Sequence, residues 1–211
     1  MTKKALNQNA KFVQQLIDII EPDFVFNNKP IDRFGVIDNS ANNNNCGKIE
    51  QLTKLSEKIN SIDNCNLKDN SKNLIIGDGD INSPLMIVGE APGKIEDVLG
   101  HSFQGEVGSL LKKMLSAINI EMSKVYSTYS INFRPPEDRK PTAQEIKRYS
   151  IFLKEHISII NPKIVILMGG TAMEAVTGLS GRVSSERGKW KEIILKNRTF
   201  PLMVTFNPSY L

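Results

Sequence analysis

A chain of 211 residues with 40% hydrophobic and 24% charged side chains has room for one full hydrophobic core and does not demand a second domain. Its net charge of +4 permits a nucleic-acid partner without requiring one. The longest apolar runs, such as IVILM at 164–168, fall well short of the roughly 20 residues needed to span a bilayer, and the start lacks the apolar centre of a signal peptide, so no membrane partner and a cytoplasmic location are expected.

In chain order, Phe12, Val13, Leu16, Ile17 and Ile20 recur at helical spacing and Pro22 ends that helix. The Asn-rich run IDNSANNNNCGK has no periodicity and reads as a flexible connection. A second helix carries Ile49, Leu52, Leu55, Ile59 and Ile62 on one face. From residue 84 the rhythm becomes strand, loop, helix: LMIV at 85–88, a helix bearing Val107, Leu110, Leu111, Met114, Leu115 and Ile118, then the strand VYSTYSI at 125–131. RPPEDRKP cannot be regular because prolines interrupt it, and Thr142 with Glu145 forms a capping box that opens a helix reaching about Ile160. IVILM, a short helix GTAMEAV, and the late strands EIIL and LMVTF complete the pattern. Such alternation predicts an α/β fold, a three-layer αβα sandwich around a mostly parallel sheet of four to five strands.

Three loops carry chemistry-bearing residues and follow strand ends: GEAPGKIED with its continuation VLGHSFQGEVG, RPPEDRKP, and FNPSYL. They are expected to converge on one rim of the sheet, where open α/β sheets hold their ligands. Phosphate cradles are excluded by spacing: GRVSSERGKW misses the Walker pattern GxxxxGK[ST], and GEAPG lacks GxGxxG. Cys46 and Cys65 form no CxxC pair, and with His101 and His156 they reach four ligands only by a scattered arrangement, so isolated reduced thiols and no metal are expected.

Six segments in order, GEAPGKIED, GHSFQGEVGSLL, FRPPEDRKPT, PKIVILMGG, RGKW and NPSYL, resemble the motif series of family 4 uracil-DNA glycosylases. The resemblance covers residues 61–211 and implies the uracil-DNA glycosylase-like fold, with residues 1–60 as a helical extension containing the Asn-rich linker. Members of that family generally continue beyond the point where this sequence stops. The resemblance implies hydrolysis of the N-glycosidic bond of uracil in DNA, with the nucleotide flipped from the stack and an abasic site left behind. DNA containing uracil is the implied partner; no obligate protein partner is evident and a monomer is expected.

The resemblance further assigns roles. Glu90 orients or activates the hydrolytic water and offsets positive charge on the sugar, while N–H groups of the turn from Ala91 to Gly93 meet an oxygen of the base. Phe103 stacks on the flipped base. Gly89, which ends the strand, is placed among the substrate-binding residues, and of Glu96 and Asp97 one lines the pocket while the other caps the next segment. Pro92, Pro135, Pro136, Ser209 and the RGKW segment with Gly188 belong to rigid loops that pinch the DNA backbone and enter the minor groove, where Arg187 and Lys189 neutralise phosphates. The chain departs from the pattern in three places. Cys65 falls near one iron–sulfur ligand position, but Ile62, Phe133 and Tyr149 occupy the others, so no cluster and no cofactor are expected. Tyr129 stands where the family's strand supplies an Asn to the uracil edge, and Asn132 cannot replace it because an offset of three along a strand reverses the face. Asn207 stands where the closing motif has His facing O2 of the leaving base; its amide N–H still donates to a developing anion. A second class stays open, a catalytically degenerate relative that binds DNA or a protein without turnover.

Overall fold

A computed structural model of the chain describes residues 39–63 and 65–210; the helix expected over Phe12 to Ile20 lies outside them. Helix α1 spans Asn39–Asn60. The stretch expected to be an aperiodic connection is therefore helical from Asn39 onward, a correction with a simple cause. Leu55 and Ile59, one turn apart, are buried, and once such a face nucleates a helix each further residue adds a hydrogen bond at little cost, even through poor helix formers. Helix α2 follows at Asn66–Asn70.

The remaining elements are β1 (Asp78–Gly79), β2 (Leu85–Gly89), α3 (Lys94–Leu99), α4 (Gly105–Ala117), β3 (Tyr126–Tyr129), α5 (Ala143–Ile160), β4 (Ile164–Met168), α6 (Gly170–Thr177), α7 (Val183–Glu186), β5 (Trp190–Leu195) and β6 (Arg198–Thr205). They build a six-stranded sheet of order β1-β3-β2-β4-β6-β5. The four inner strands run parallel, and β1 and β5 close the edges antiparallel. The expected four to five strands become six because the two-residue β1 is too short to leave any periodic signal.

Met86 and Val88 join the core that packs under α5 and α6, together with Leu153, Ile157 and Met173. Ile87 points the other way, toward Leu111 and Leu115 of α4. Successive side chains of a strand alternate between faces, so the apolar run of β2 is buried on both sides, as a parallel strand between helices requires. A third cluster joins α1 and α2 to Phe133, Tyr149 and Ile159. Helix α5 starts at the expected capping box: Glu145 donates its N–H to Thr142 Oγ1 while its carboxylate accepts the N–H of Thr142. Strands β5 and β6 are joined by Lys196 and Asn197, both at positive φ, the conformation whose twist suits a two-residue hairpin. Among the described residues no helix is long and apolar enough to cross a membrane.

The strand order places the site. From β2 the chain moves to β3 on one side and later to β4 on the other. The loops leaving the carboxyl ends of β2 and β4 therefore diverge and open a crevice between them.

Candidate active site

A cavity of about 370 Å³ lies at that crevice, and its lining takes Glu90, Pro92 and Phe103 from the first loop, Pro135 and Arg139 from the second, and Asn207 and Ser209 from the last. The three loops thus meet at one rim.

Glu90, immediately after β2, is held from two sides. Its Oε1 accepts the backbone N–H of Thr171 at 3.1 Å, and its Oε2 accepts Nδ2 of Asn207 at 3.3 Å. Thr171 lies in the first turn of α6, where N–H groups have no partner within the helix and suit a negative group. The amide of Asn207 is oriented by its other end, because Oδ1 accepts the N–H of Ser209 at 3.2 Å. Gly169 makes the approach possible. At φ 100° and ψ 173° it adopts a conformation essentially confined to glycine, and a Cβ there would lie 2.4 Å from Glu90 Cδ. Gly169 and Thr171 went unnoticed in the sequence; the signal was the Gly-Gly pair that ends β4 and opens α6.

The floor of the cavity is aromatic, with an unexpected arrangement. Phe103 stacks on Tyr129, with ring centroids 4.9 Å apart and planes 27° from parallel, and its backbone N–H donates to the Tyr129 hydroxyl at 2.9 Å. Phe103 takes φ 50° and is only 5% exposed. Part of the stacking surface expected to meet a base is therefore covered by Tyr129. Gly89 lies where both rings press: a Cβ there would be 2.7 Å from Tyr129 Cδ1 and 2.9 Å from Phe103 Cζ. Burial, and secondarily the charge of Glu96, push the Tyr129 phenol upward, so it stays neutral.

Glu96 is buried and ties the first loop together: Oε2 accepts the N–H of Gly93 at 3.1 Å and Oε1 that of Gln104 at 3.0 Å. The Gly93 N–H, expected among the donors to a base oxygen, is thereby used. Asp97 faces away from the cavity and accepts the N–H groups of Lys72 and Asn73, the capping alternative of the pair. Asn132 is turned to Ile75, whose carbonyl accepts its amide. Pro92 and Pro135 are buried at the cavity wall and Ser209 is exposed at its edge. Two forks shape the second loop, Arg134 on Asp138 and Arg139 on Glu145. The latter holds the Glu145 carboxyl down at about 2.

The RGKW residues stand apart from this cavity. Arg187 is exposed, with its guanidinium carbon 4.9 Å from the centroid of the Phe206 ring. Gly188 takes φ 74° and its N–H donates to Val204. Lys189 lies 3.9 Å from Glu186.

Residues 76–211 match the family model described as the uracil DNA glycosylase superfamily. A type-4 uracil-DNA glycosylase of Thermotoga maritima is 33% identical over 163 residues, covering 77% of this chain and 83% of the relative. One from Pyrobaculum aerophilum is 33% identical over 162 residues, with 75% and 83% covered. One from Sulfurisphaera tokodaii is 32% identical over 173 residues, with 76% and 79% covered.

These relatives contradict the expectation of no cluster and no cofactor, because type-4 glycosylases carry a 4Fe–4S cluster. Such a cluster is held by four thiolates. Among the described side chains the free cysteine is Cys65, buried, with Sγ 3.3 Å from the Tyr149 hydroxyl. Phe133 meets Tyr149 edge-on at 6.4 Å, and Leu55, Ile59, Leu67 and Ile131 complete the packing, with Ile62 against them. No group of three or more His, Cys, Asp or Glu suited to a metal occurs among the described residues. The described residues do not fit the cluster, and no chemistry is derived through one. Fold, cavity and extended similarity agree on one conclusion: the chain belongs to the uracil-DNA glycosylase superfamily.

Proposed function

We propose that the protein is a DNA repair hydrolase that cleaves the N-glycosidic bond of uracil in DNA and leaves an abasic site. The observation that carries the reading is the convergence of Glu90, Phe103 and Asn207 on one cavity at the carboxyl ends of β2 and β4. In this reading a water lodged against Glu90 attacks C1′ of the everted nucleotide as the C1′–N1 bond breaks. The carboxylate takes the water's proton and offsets the positive charge on the sugar. Electrons of the broken bond pass to the uracil ring, whose O2 receives the second N–H of the Asn207 amide. The network on Glu90 orients it before substrate arrives, which is the condition for electrostatic stabilisation without reorganisation. Residues 61–211 form the glycosylase domain, residues 1–60 precede it as an extension, and the protein acts as a cytoplasmic monomer.

The Phe103–Tyr129 stack favours a second reading, a degenerate relative that binds DNA without turnover, since Tyr129 covers surface a base would use. One assay separates the two. Single- and double-stranded oligonucleotides containing uracil are incubated with the protein and examined for alkali-labile sites. Product that vanishes with Glu90→Gln supports the hydrolase, whereas salt-dependent binding without product supports the binder.

A further inference from the structure

A second cavity, of about 550 Å³, adjoins the catalytic one and shares Glu90, Lys140, Pro141, Thr171 and Tyr210 with it. Phe206 and Tyr210 offer rings to it, and Pro141, Ile146 and Val183 supply aliphatic wall. Each ring carries a cation. Lys140 Nζ lies 5.9 Å from the centroid of Tyr210, and Arg187 sits 4.9 Å over Phe206. Both distances fall within the range of cation–π attraction. Neither cation is ion-paired to a carboxylate among the described residues, so their outward N–H groups are free to meet a phosphate. The lining also holds the carboxylates of Glu90 and Glu174; Arg187 is not part of the lining and reaches its edge through the contact with Phe206.

We propose that this second cavity is a subsite for the nucleotide next to the everted one: its base stacks on Tyr210 and Phe206, and its phosphate is held by Lys140 and Arg187. The proposal rests on the glycosylase reading and deepens it. Continuity through Glu90, Thr171 and Tyr210 puts a neighbouring nucleotide within reach of the same strand. Rings backed by cations are the combination that binds single-stranded nucleic acid without reading its sequence. The arrangement also gives the exposed Arg187, remote from the catalytic cavity, a place in DNA binding.

The test uses single-stranded oligonucleotides with one uracil whose 5′ or 3′ neighbour carries either a base or a base-free tetrahydrofuran residue. For the wild-type chain, removing the base on one of the two sides lowers kcat/KM for excision by on the order of tenfold. Tyr210→Ala, at an exposed position, and Phe206→Leu, which keeps bulk, lower the rate on the normal strand and erase the difference between strands. A wild-type enzyme indifferent to both base-free neighbours, or variants that keep the full difference, overturns the subsite. Absence of excision from every strand overturns the activity itself. The subsite is then decided by fluorescence anisotropy of the same strands, where the Tyr210-dependent step must still appear.

Discussion

Two regions of this molecule use aromatic rings beside a polar group, and they are built on opposite principles. At the cavity between the β2 and β4 loops, Glu90 has a fixed geometry: one oxygen on a helix N–H, the other on an amide that is itself oriented by Ser209. At the cluster of Cys65, Phe133 and Tyr149, apolar rings fill space, with one thiol–hydroxyl contact among them. A directed hydrogen-bond set tolerates little change in distance. A packed cluster tolerates exchange of side chains provided volume is kept. Loss of family residues should therefore be felt as lost rate in the first region and as lost stability in the second.

The largest expected effect breaks the first region. Glu90→Gln keeps shape but removes the base, and should lower excision by about 10²- to 10⁴-fold with a denaturation midpoint close to wild type; unchanged excision would mean the site is misplaced. In the second region Tyr149→Ala should destabilise by about 3–5 kcal/mol, as large ring-to-methyl cuts in cores do, read by urea unfolding. KM for uracil-containing DNA in the folded fraction should stay near wild type; a selective loss of KM would show that this cluster communicates with the cavity.

The core beneath α5 offers a pH-dependent contrast. His156 is fully buried, bonded to the Tyr126 hydroxyl at 2.9 Å, and burial lowers it to about 4. Its unfolded counterpart takes a proton near 6.5, so the unfolded chain binds more protons between those values. Stability is complete above about pH 6.5 and falls as the pH drops toward 4, by about 3 kcal/mol from this group. Unfolding of wild type and His156→Gln at pH 7 and pH 4.5 isolates it; parallel losses in both would exclude the histidine as the cause.

A smaller effect sharpens the account of Glu90. Thr171→Pro removes the N–H that Glu90 accepts, at a first-turn helix position where proline is sterically tolerated. It should lower kcat by roughly tenfold, in line with one charge-assisted hydrogen bond. Thr171→Ala keeps the donor and should lower it far less. Equal kcat values for the two variants would show that this N–H does not position Glu90.

Much of the architecture is legible in the sequence alone. The double-sided apolar runs of β2 and β4 and the capping box at Thr142 and Glu145 announce themselves locally, because burial on both faces and a reciprocal cap each impose a short-range pattern. The six ordered motifs carried the family. The sequence also placed Glu90, Phe103 and Asn207 in loops at strand ends. It was silent on β1, which is too short to have a period, and it misread the Asn-rich start of α1, whose helicity rests on packing of Leu55 and Ile59 further along.

What only the tertiary structure decided is how those loops use one another. Glu90 and Asn207 are bonded across 117 positions of sequence, Gly169 yields its missing Cβ to a carboxylate from another strand, and Tyr129 gives its ring to Phe103 instead of leaving that face open. Such contacts have no periodicity and no local propensity. They exist because a parallel sheet carries the ends of β2, β3, β4 and β6 to one edge, and only at that edge do side chains remote in sequence compete for the same space and the same hydrogen bonds.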